Sequence, residues 1–105
     1  MKKYRVWVSP AANDRMYDHF FFLAQVSESA ARNLLNRLIK DIQSLEHTPQ
    51  RNPFLDRPYL EQAKYRYKLS YRRYRIVYQI VKDGVYVEDI QDCRQDDDKD
   101  LLRTK

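Results

Sequence analysis

The sequence predicts an α+β fold, in which a mostly antiparallel sheet carries a two-helix hairpin on one face, in the order β-α-α-β-β-β. Two amphipathic helical segments follow one another in the first half of the chain, joined by a short link. Three segments with strand-like alternation follow a proline-rich loop. The chain has 105 residues, which suffices for one core, and we expect a single domain over residues 1–105.

The first half of the chain contains one strand and both helices. The alternation over residues 3–8, KYRVWV, is typical of a strand. Ser9 and Pro10 then supply a capping hydroxyl and a first-turn proline, which predict a helix over about residues 11–26. A second serine precedes residues 28–45, whose leucines and isoleucines recur at helical spacing. The short link between the two helices predicts an antiparallel hairpin.

The second half of the chain contains a loop and three strands. The loop cannot form a regular helix or a central strand, because it contains Pro49, Pro53 and Pro58. Strands are predicted over residues 65–71, 74–81 and 85–91. Asp83 and Gly84, the only glycine in the chain, predict a tight hairpin in which glycine supplies the positive φ.

The positive charge is concentrated in one segment. The chain carries 20 basic and 15 acidic residues, a formal net charge of +5. Residues 64–82 contain seven of the basic residues and five tyrosines but no carboxylate, which leaves 13 basic and 15 acidic residues elsewhere. This distribution favours a surface that meets an anion. The alternative is a solvated sheet face whose cations protect an edge.

Several classes of protein are disfavoured by the composition. The one cysteine, Cys93, rules out an internal disulfide. No apolar run is long enough for a signal peptide or a membrane span. We therefore expect a cytoplasmic protein without membrane contact.

Strand alternation predicts which side chains share a face. In the first of the three strands, Tyr65, Tyr67 and Leu69 point one way, and we expect them under the helices or at their margin. Arg66 and Lys68 point the other way, onto the face that the helices leave open. This face would be strongly basic.

A phosphate-binding surface is predicted from the way these strands pair. Pairing can bring Arg75 beside the two cations of the first strand, and Arg94 stands just past the last strand, at the rim. Adjacent like charges cost stability, and arginine forks match phosphate oxygens, so this pattern favours phosphate binding. The pattern does not separate RNA from DNA, from an acidic protein or from a purely structural role. Candidates for wider RNA contacts are Lys64, Arg72, Arg73, Tyr71 and Tyr74.

Four segments resemble the RelE/ParE superfamily of bacterial toxins. They are VSPAANDRMYDHF, ESAARNLLNRLIKDIQSLEHTPQRNP, YRYKLSYRRYRIVYQI and VYVEDIQDCRQD. Their order and spacing match over nearly the whole chain. The resemblance implies the toxin of a type II toxin–antitoxin system, with a cognate antitoxin protein as partner.

The RelE branch implies a ribosome-dependent mRNA endoribonuclease that inhibits translation and arrests growth. Such an enzyme acts on mRNA in the ribosome, without a metal or other cofactor. By resemblance, Arg66 and Lys68 fall on two catalytic lysines of that branch, and Arg75 and Arg94 fall on two arginines. Lys68 is then the candidate base, and Arg94 stabilises or protonates the leaving group. Arg66 and Arg75 hold the phosphate. Asp56 or Glu61, in the preceding loop, is the alternative base, of the carboxylate kind that a sister branch uses. Asp100 stands where the branch has a tyrosine, so the catalytic set is incomplete.

Two alternatives remain open from the sequence. ParE-like members lack the nuclease residues and poison DNA gyrase by binding. A basic nucleic-acid-binding module without toxicity is the other alternative. The acidic residues 96–100 either fold back over the basic surface as a mask or form a solvated end.

Overall fold

The computed structural model describes residues 3–94 and Leu102. Its elements are β1 (Arg5–Val8), α1 (Pro10–Ala24), α2 (Glu28–Ser44), a short 3-10 helix (Pro49–Arg51), β2 (Arg66–Ser70), β3 (Tyr74–Val81) and β4 (Gly84–Asp92). The predicted order β-α-α-β-β-β is confirmed. Within the described residues, no helix is both long and apolar enough to cross a membrane.

The four strands form one mixed sheet in the order β1-β4-β3-β2. β4 pairs in parallel with β1 and antiparallel with β3, and β3 pairs antiparallel with β2. The prediction of a mostly antiparallel sheet is therefore confirmed. The ladder between β3 and β4 shifts register at Val77 and Tyr78, which pair with Asp89 and Val87. Glu88 is the extra residue of this β-bulge.

Both helices begin at the predicted serine caps. Ser9 Oγ accepts a hydrogen bond from the backbone N–H of Ala12 at 3.0 Å, and Pro10 opens α1. Ser27 Oγ accepts from the N–H of Ala30 at 3.2 Å at the start of α2. Each hydroxyl satisfies a donor that the first helical turn leaves unpaired.

The main core lies between the helical hairpin and one face of the sheet. The apolar side chains of α1 and α2 pack there against alternate residues of β3 and β4, among them Ile76, Tyr78, Val85, Val87 and Ile90. Tyr78 is fully buried, and its hydroxyl donates to the carbonyl oxygen of Pro49 at 2.6 Å. This contact ties the loop after α2 to the centre of the sheet.

The opposite face of the sheet is also partly covered. Leu55, Tyr65, Val77 and Leu102 form a second buried cluster there, with Tyr67 packed against it. The prediction that Tyr65 and Tyr67 face the helices is therefore wrong. The sequence interpretation placed these tyrosines under the helices. In the structure they are instead covered by side chains of the loop before β2 and by Leu102.

The β3–β4 hairpin forms as predicted, but for a different reason. Lys82 carries the positive φ, 55°, and Gly84 has none. Gly84 instead leaves room for a neighbouring side chain, since a Cβ there would lie 2.2 Å from Trp7 Cζ3. The residues of the acidic segment, 96–100, lie outside the described residues.

Candidate functional site

Arg66 and Lys68 lie on the helix side of the sheet and are engaged in structural hydrogen bonds. Arg66 Nη1 donates to the carbonyl oxygens of Gln50 at 2.9 Å and Asn52 at 2.6 Å. Lys68 Nζ donates to Ser44 Oγ at 2.7 Å, at the end of α2. The two side chains thus fasten the second helix and the following loop to edge strand β2.

Arg75 lies on the other face of the sheet. It pairs with Leu69 on β2 and Gln91 on β4, whereas Lys68 pairs with Ile76, a core residue under the helices. Arg75 Nε donates to Gln91 Oε1 at 3.1 Å. Since neighbouring residues of a strand point to opposite faces, the sheet separates Arg75 from Lys68. The predicted cluster of Arg66, Lys68 and Arg75 on one open face is therefore wrong.

Arg94 forms a separate group with Arg73 at the end of the sheet. Arg73 Nη2 and Arg94 Nη2 each lie 3.4 Å from Asp92 Oδ2, and Asp92 is buried. Arg94 also donates its backbone N–H to Asp92 Oδ1 at 3.0 Å. One carboxylate thus holds two guanidinium groups together and neutralises part of their charge.

The β2–β3 turn presents two of the predicted RNA-contacting residues. Tyr71 and Arg72 both have positive φ, 53° and 61°, and Arg73 N–H donates to the carbonyl oxygen of Ser70 at 3.2 Å. Positive φ at both central residues is the pattern of a type I′ turn, which normally selects asparagine and glycine. Both side chains are exposed, and Arg72 forms no ion pair with any residue that the structure describes.

Tyr74 and Lys64 are placed differently from these turn residues. Tyr74 is 2% exposed and packs against His19, with 4.9 Å between the ring centroids, so it leaves no face for a base. Lys64 Nζ lies 3.6 Å from Glu61 Oε2 on the exposed loop. The predicted contact residues are therefore dispersed over several places.

Buried polar residues that the sequence interpretation did not single out join α1 to β4. Asp89 is fully buried, and its Oδ1 lies 3.8 Å from Arg15 Nε. His19 Nε2 lies 2.7 Å from the carbonyl oxygen of Ile90. Burial lowers the pKa of His19 below its ordinary value, against the opposing effect of the Ile90 hydrogen bond. The only sequence signal for a buried carboxylate was the position of Glu88 and Asp89 within a predicted strand, next to Ile90.

A helical hairpin on a four-stranded sheet of this order is the fold of the RelE/ParE superfamily. The family model described as "ParE toxin of type II toxin-antitoxin system, parDE" matches residues 6–97. The chain therefore belongs to the ParE toxin family. It is the toxin component of a type II toxin–antitoxin system, and this implies a cognate antitoxin as partner.

A solved structure agrees with this fold. The protein of the "Chromosomal ParDE TA system from P. aeruginosa" superposes with a TM-score of 0.69 at 10% sequence identity. The match covers 88% of this chain and 98% of that one. No curated protein matches the sequence.

Proposed function

We propose that this toxin inhibits DNA gyrase by binding to it, without cutting RNA. The observation that carries the proposal is the separation of Lys68 from Arg75 by the sheet. The ParE family contains gyrase poisons, whereas the mRNA nucleases belong to the RelE branch. The family match and the dispersed cations thus favour the same conclusion.

RNA cleavage by the route predicted from the sequence would need several groups at one phosphodiester. The attacking 2′-hydroxyl needs a base, the developing charge needs cations, and the leaving oxygen needs an acid. A phosphate near Lys68 cannot also contact Arg75, because the two side chains leave the sheet on opposite faces. Displacements far smaller than the thickness of a sheet already reduce rates strongly.

The bonds of Lys68 and Arg66 further support a structural role. Lys68 Nζ donates to Ser44 Oγ, and Arg66 donates to the carbonyl oxygens of Gln50 and Asn52. A catalytic lysine would need access to the substrate. These contacts instead stabilise the junction between α2 and the sheet.

The experiment compares two activities of the same purified protein. We expect the wild-type protein to inhibit supercoiling by gyrase and to leave mRNA intact on translating ribosomes. Arg75→Ala should inhibit gyrase to the same extent once the fraction of folded protein is matched by circular dichroism. The side-chain hydrogen bond of Arg75 that the structure gives goes to Gln91, so we expect its removal to leave the rest of the fold in place.

Two results would overturn the proposal. One is mRNA cleavage on ribosomes by the wild-type protein that Lys68→Ala or Arg75→Ala abolishes without unfolding. The other is unchanged supercoiling at protein concentrations in excess of gyrase. The Arg75→Ala comparison distinguishes a cleavage activity of this chain from a contaminating nuclease.

A further inference from the structure

The only tryptophan and the only glycine of the chain are in direct contact. Trp7 lies on β1, and Gly84 opens the neighbouring strand β4. A Cβ at Gly84 would lie 2.2 Å from Trp7 Cζ3 and 3.1 Å from both Cε3 and Cη2. Any residue with a Cβ at position 84 would therefore clash with the indole ring, so only glycine lets Trp7 lie this close to β4. The side chain of Trp7 is nevertheless 48% exposed.

Other exposed side chains surround this tryptophan on the same sheet face. Tyr86 is its cross-strand partner and is 38% exposed, and Val81 is 50% exposed. Arg5 and Lys82 line the same shallow depression, which has a volume of about 990 Å³. Both cations are exposed, and neither forms an ion pair within residues 3–94 or with Leu102.

Two carboxylates, Asp83 and Glu88, line this depression, and both have interaction partners. Glu88 is buried, and its Oε2 accepts a hydrogen bond from Gln79 Nε2 at 2.7 Å. The depression therefore presents exposed aromatic rings beside Arg5 and Lys82, which form no ion pair with a described residue. It is also separate from the Arg73–Asp92–Arg94 group, since Gly84 and Asp92 stand at opposite ends of β4, roughly 26 Å apart.

We propose that this face binds single-stranded nucleic acid. Bases would stack on Trp7 and Tyr86, while Arg5 and Lys82 would contact the phosphates. Stacking platforms flanked by cations are the general solution for single strands, because every base has a π-face and every nucleotide a charge. The exposed rings of Trp7 and Tyr86 give a planar base a surface to stack on, which favours nucleic acid over an acidic protein chain as the ligand. This proposal does not depend on the identity of the toxin's target.

Trp7 itself reports on binding, because no other tryptophan contributes to the fluorescence. We expect a twelve-residue oligothymidylate to quench its emission in a saturable manner at low salt. Tyr86→Leu keeps the reporter and should weaken binding roughly 10-fold through loss of one stacked base. Tyr17→Leu removes a tyrosine of matched exposure, 39%, from α1 and should leave the titration unchanged.

The phosphate contacts are tested by the salt dependence of the same titration. Each phosphate contact on a single strand contributes about 0.7 to the slope of log K against log salt. The Arg5→Gln/Lys82→Gln variant should therefore reduce the slope by about 1.4. Lys40→Gln/Arg51→Gln removes the same charge from exposed positions outside the depression and should keep the slope.

Three outcomes would overturn the proposal. The first is absence of quenching by the oligonucleotide at low salt. The second is quenching that Tyr86→Leu and Arg5→Gln/Lys82→Gln change no more than their control variants do. The third is equally strong quenching by polyglutamate that is lost in Tyr86→Leu, which would assign the face to acidic protein chains. Gyrase is absent from these titrations. A negative result here would therefore refute nucleic-acid binding by this face without bearing on the proposed inhibition of gyrase.

Discussion

His19 Nε2 lies 2.7 Å from the carbonyl oxygen of Ile90, so a single imidazole links α1 to the last strand. The ring is 7% exposed and packs against Tyr74. Burial lowers the pKa of His19, and the nearby Arg15 acts in the same direction, while the Ile90 carbonyl, Asp92 and Asp89 oppose them. The folded protein therefore favours the neutral imidazole, whose Nε2–H donates to Ile90.

We expect acid to destabilise the protein through His19. Its pKa in the folded state lies below the unfolded value of 6.5, so its stabilising effect is complete above pH 6.5. That stability is lost as the pH falls from 6.5 through the folded-state pKa. One proton contributes at most about 1.4 kcal/mol per pH unit to the slope. Urea unfolding between pH 7.5 and 5.0 measures this slope.

The control for this titration is the other histidine. His47→Gln removes the exposed histidine and leaves the buried contact of His19 in place. His19→Gln should give a flatter slope than both the wild-type protein and His47→Gln. Equal slopes for His19→Gln and the wild-type protein would contradict the assignment.

The Arg15–Asp89 pair should be energetically coupled. Asp89 is fully buried and also accepts hydrogen bonds from Ile90 N–H at 2.8 Å and Gln91 Nε2 at 3.2 Å. Arg15→Met weakens the compensation of this buried charge, and we expect the free energy of unfolding to fall by about 3 kcal/mol. With Asp89→Asn already present, the same change should cost less than about 1 kcal/mol. Equal losses in the two backgrounds, measured by chemical denaturation, would refute the coupling.

Arg66 should contribute to stability rather than to toxicity. Its guanidinium holds two carbonyl oxygens and lies 3.9 Å from the centre of the Phe54 ring. We expect Arg66→Met to lower the free energy of unfolding by about 2 kcal/mol, and Arg66→Lys, which keeps the charge but not the fork, by less. Gyrase inhibition per folded molecule should not change. A fully stable Arg66→Met protein without toxicity would instead support a direct role for this cation.

Short sequence patterns predicted the helices and strands correctly, because interactions between neighbouring residues determine where these elements form. The hydroxyls of Ser9 and Ser27 cap donors only three residues away, so the helix starts could be predicted from neighbouring residues. Alternation likewise showed that Arg66 and Lys68 share a face of β2. It could not show which face, because that depends on pairing with β3 and on what covers each side.

The prediction of the candidate site was wrong because it depended on these contacts between distant parts of the chain. Lys68 pairs with Ile76, which faces the helices, while Leu102, distant in sequence, helps to cover the opposite face. The exposed pair of Trp7 and Tyr86 was missed for the same reason. Nearly eighty positions separate these residues, and only the parallel pairing of β1 with β4 brings them together. Gly84 was noticed for its turn, although its role is to accommodate the tryptophan.

The turn at Tyr71 and Arg72 should be less stable than the same turn built from residues that favour a positive φ. Both residues have positive φ, and a left-handed conformation costs a residue with a side chain roughly 1 kcal/mol or more. Tyr71→Asn/Arg72→Gly supplies the residues that a type I′ turn prefers, so we expect the free energy of unfolding to rise by about 1–2 kcal/mol.

The same variant tests why the chain keeps this strained turn. Strain of this kind persists where exposed side chains serve function, and stabilising such a site then reduces activity. If Tyr71 and Arg72 contact the target or a nucleic acid, as the sequence predicts, the stabilised protein should be less toxic when expressed in bacteria. Arg72→Gly alone should give part of both effects, since it relieves one strained residue and removes one exposed cation. A more stable protein with full toxicity would show that the two side chains have no part in binding, and a less stable one would contradict the assignment of strain to the turn.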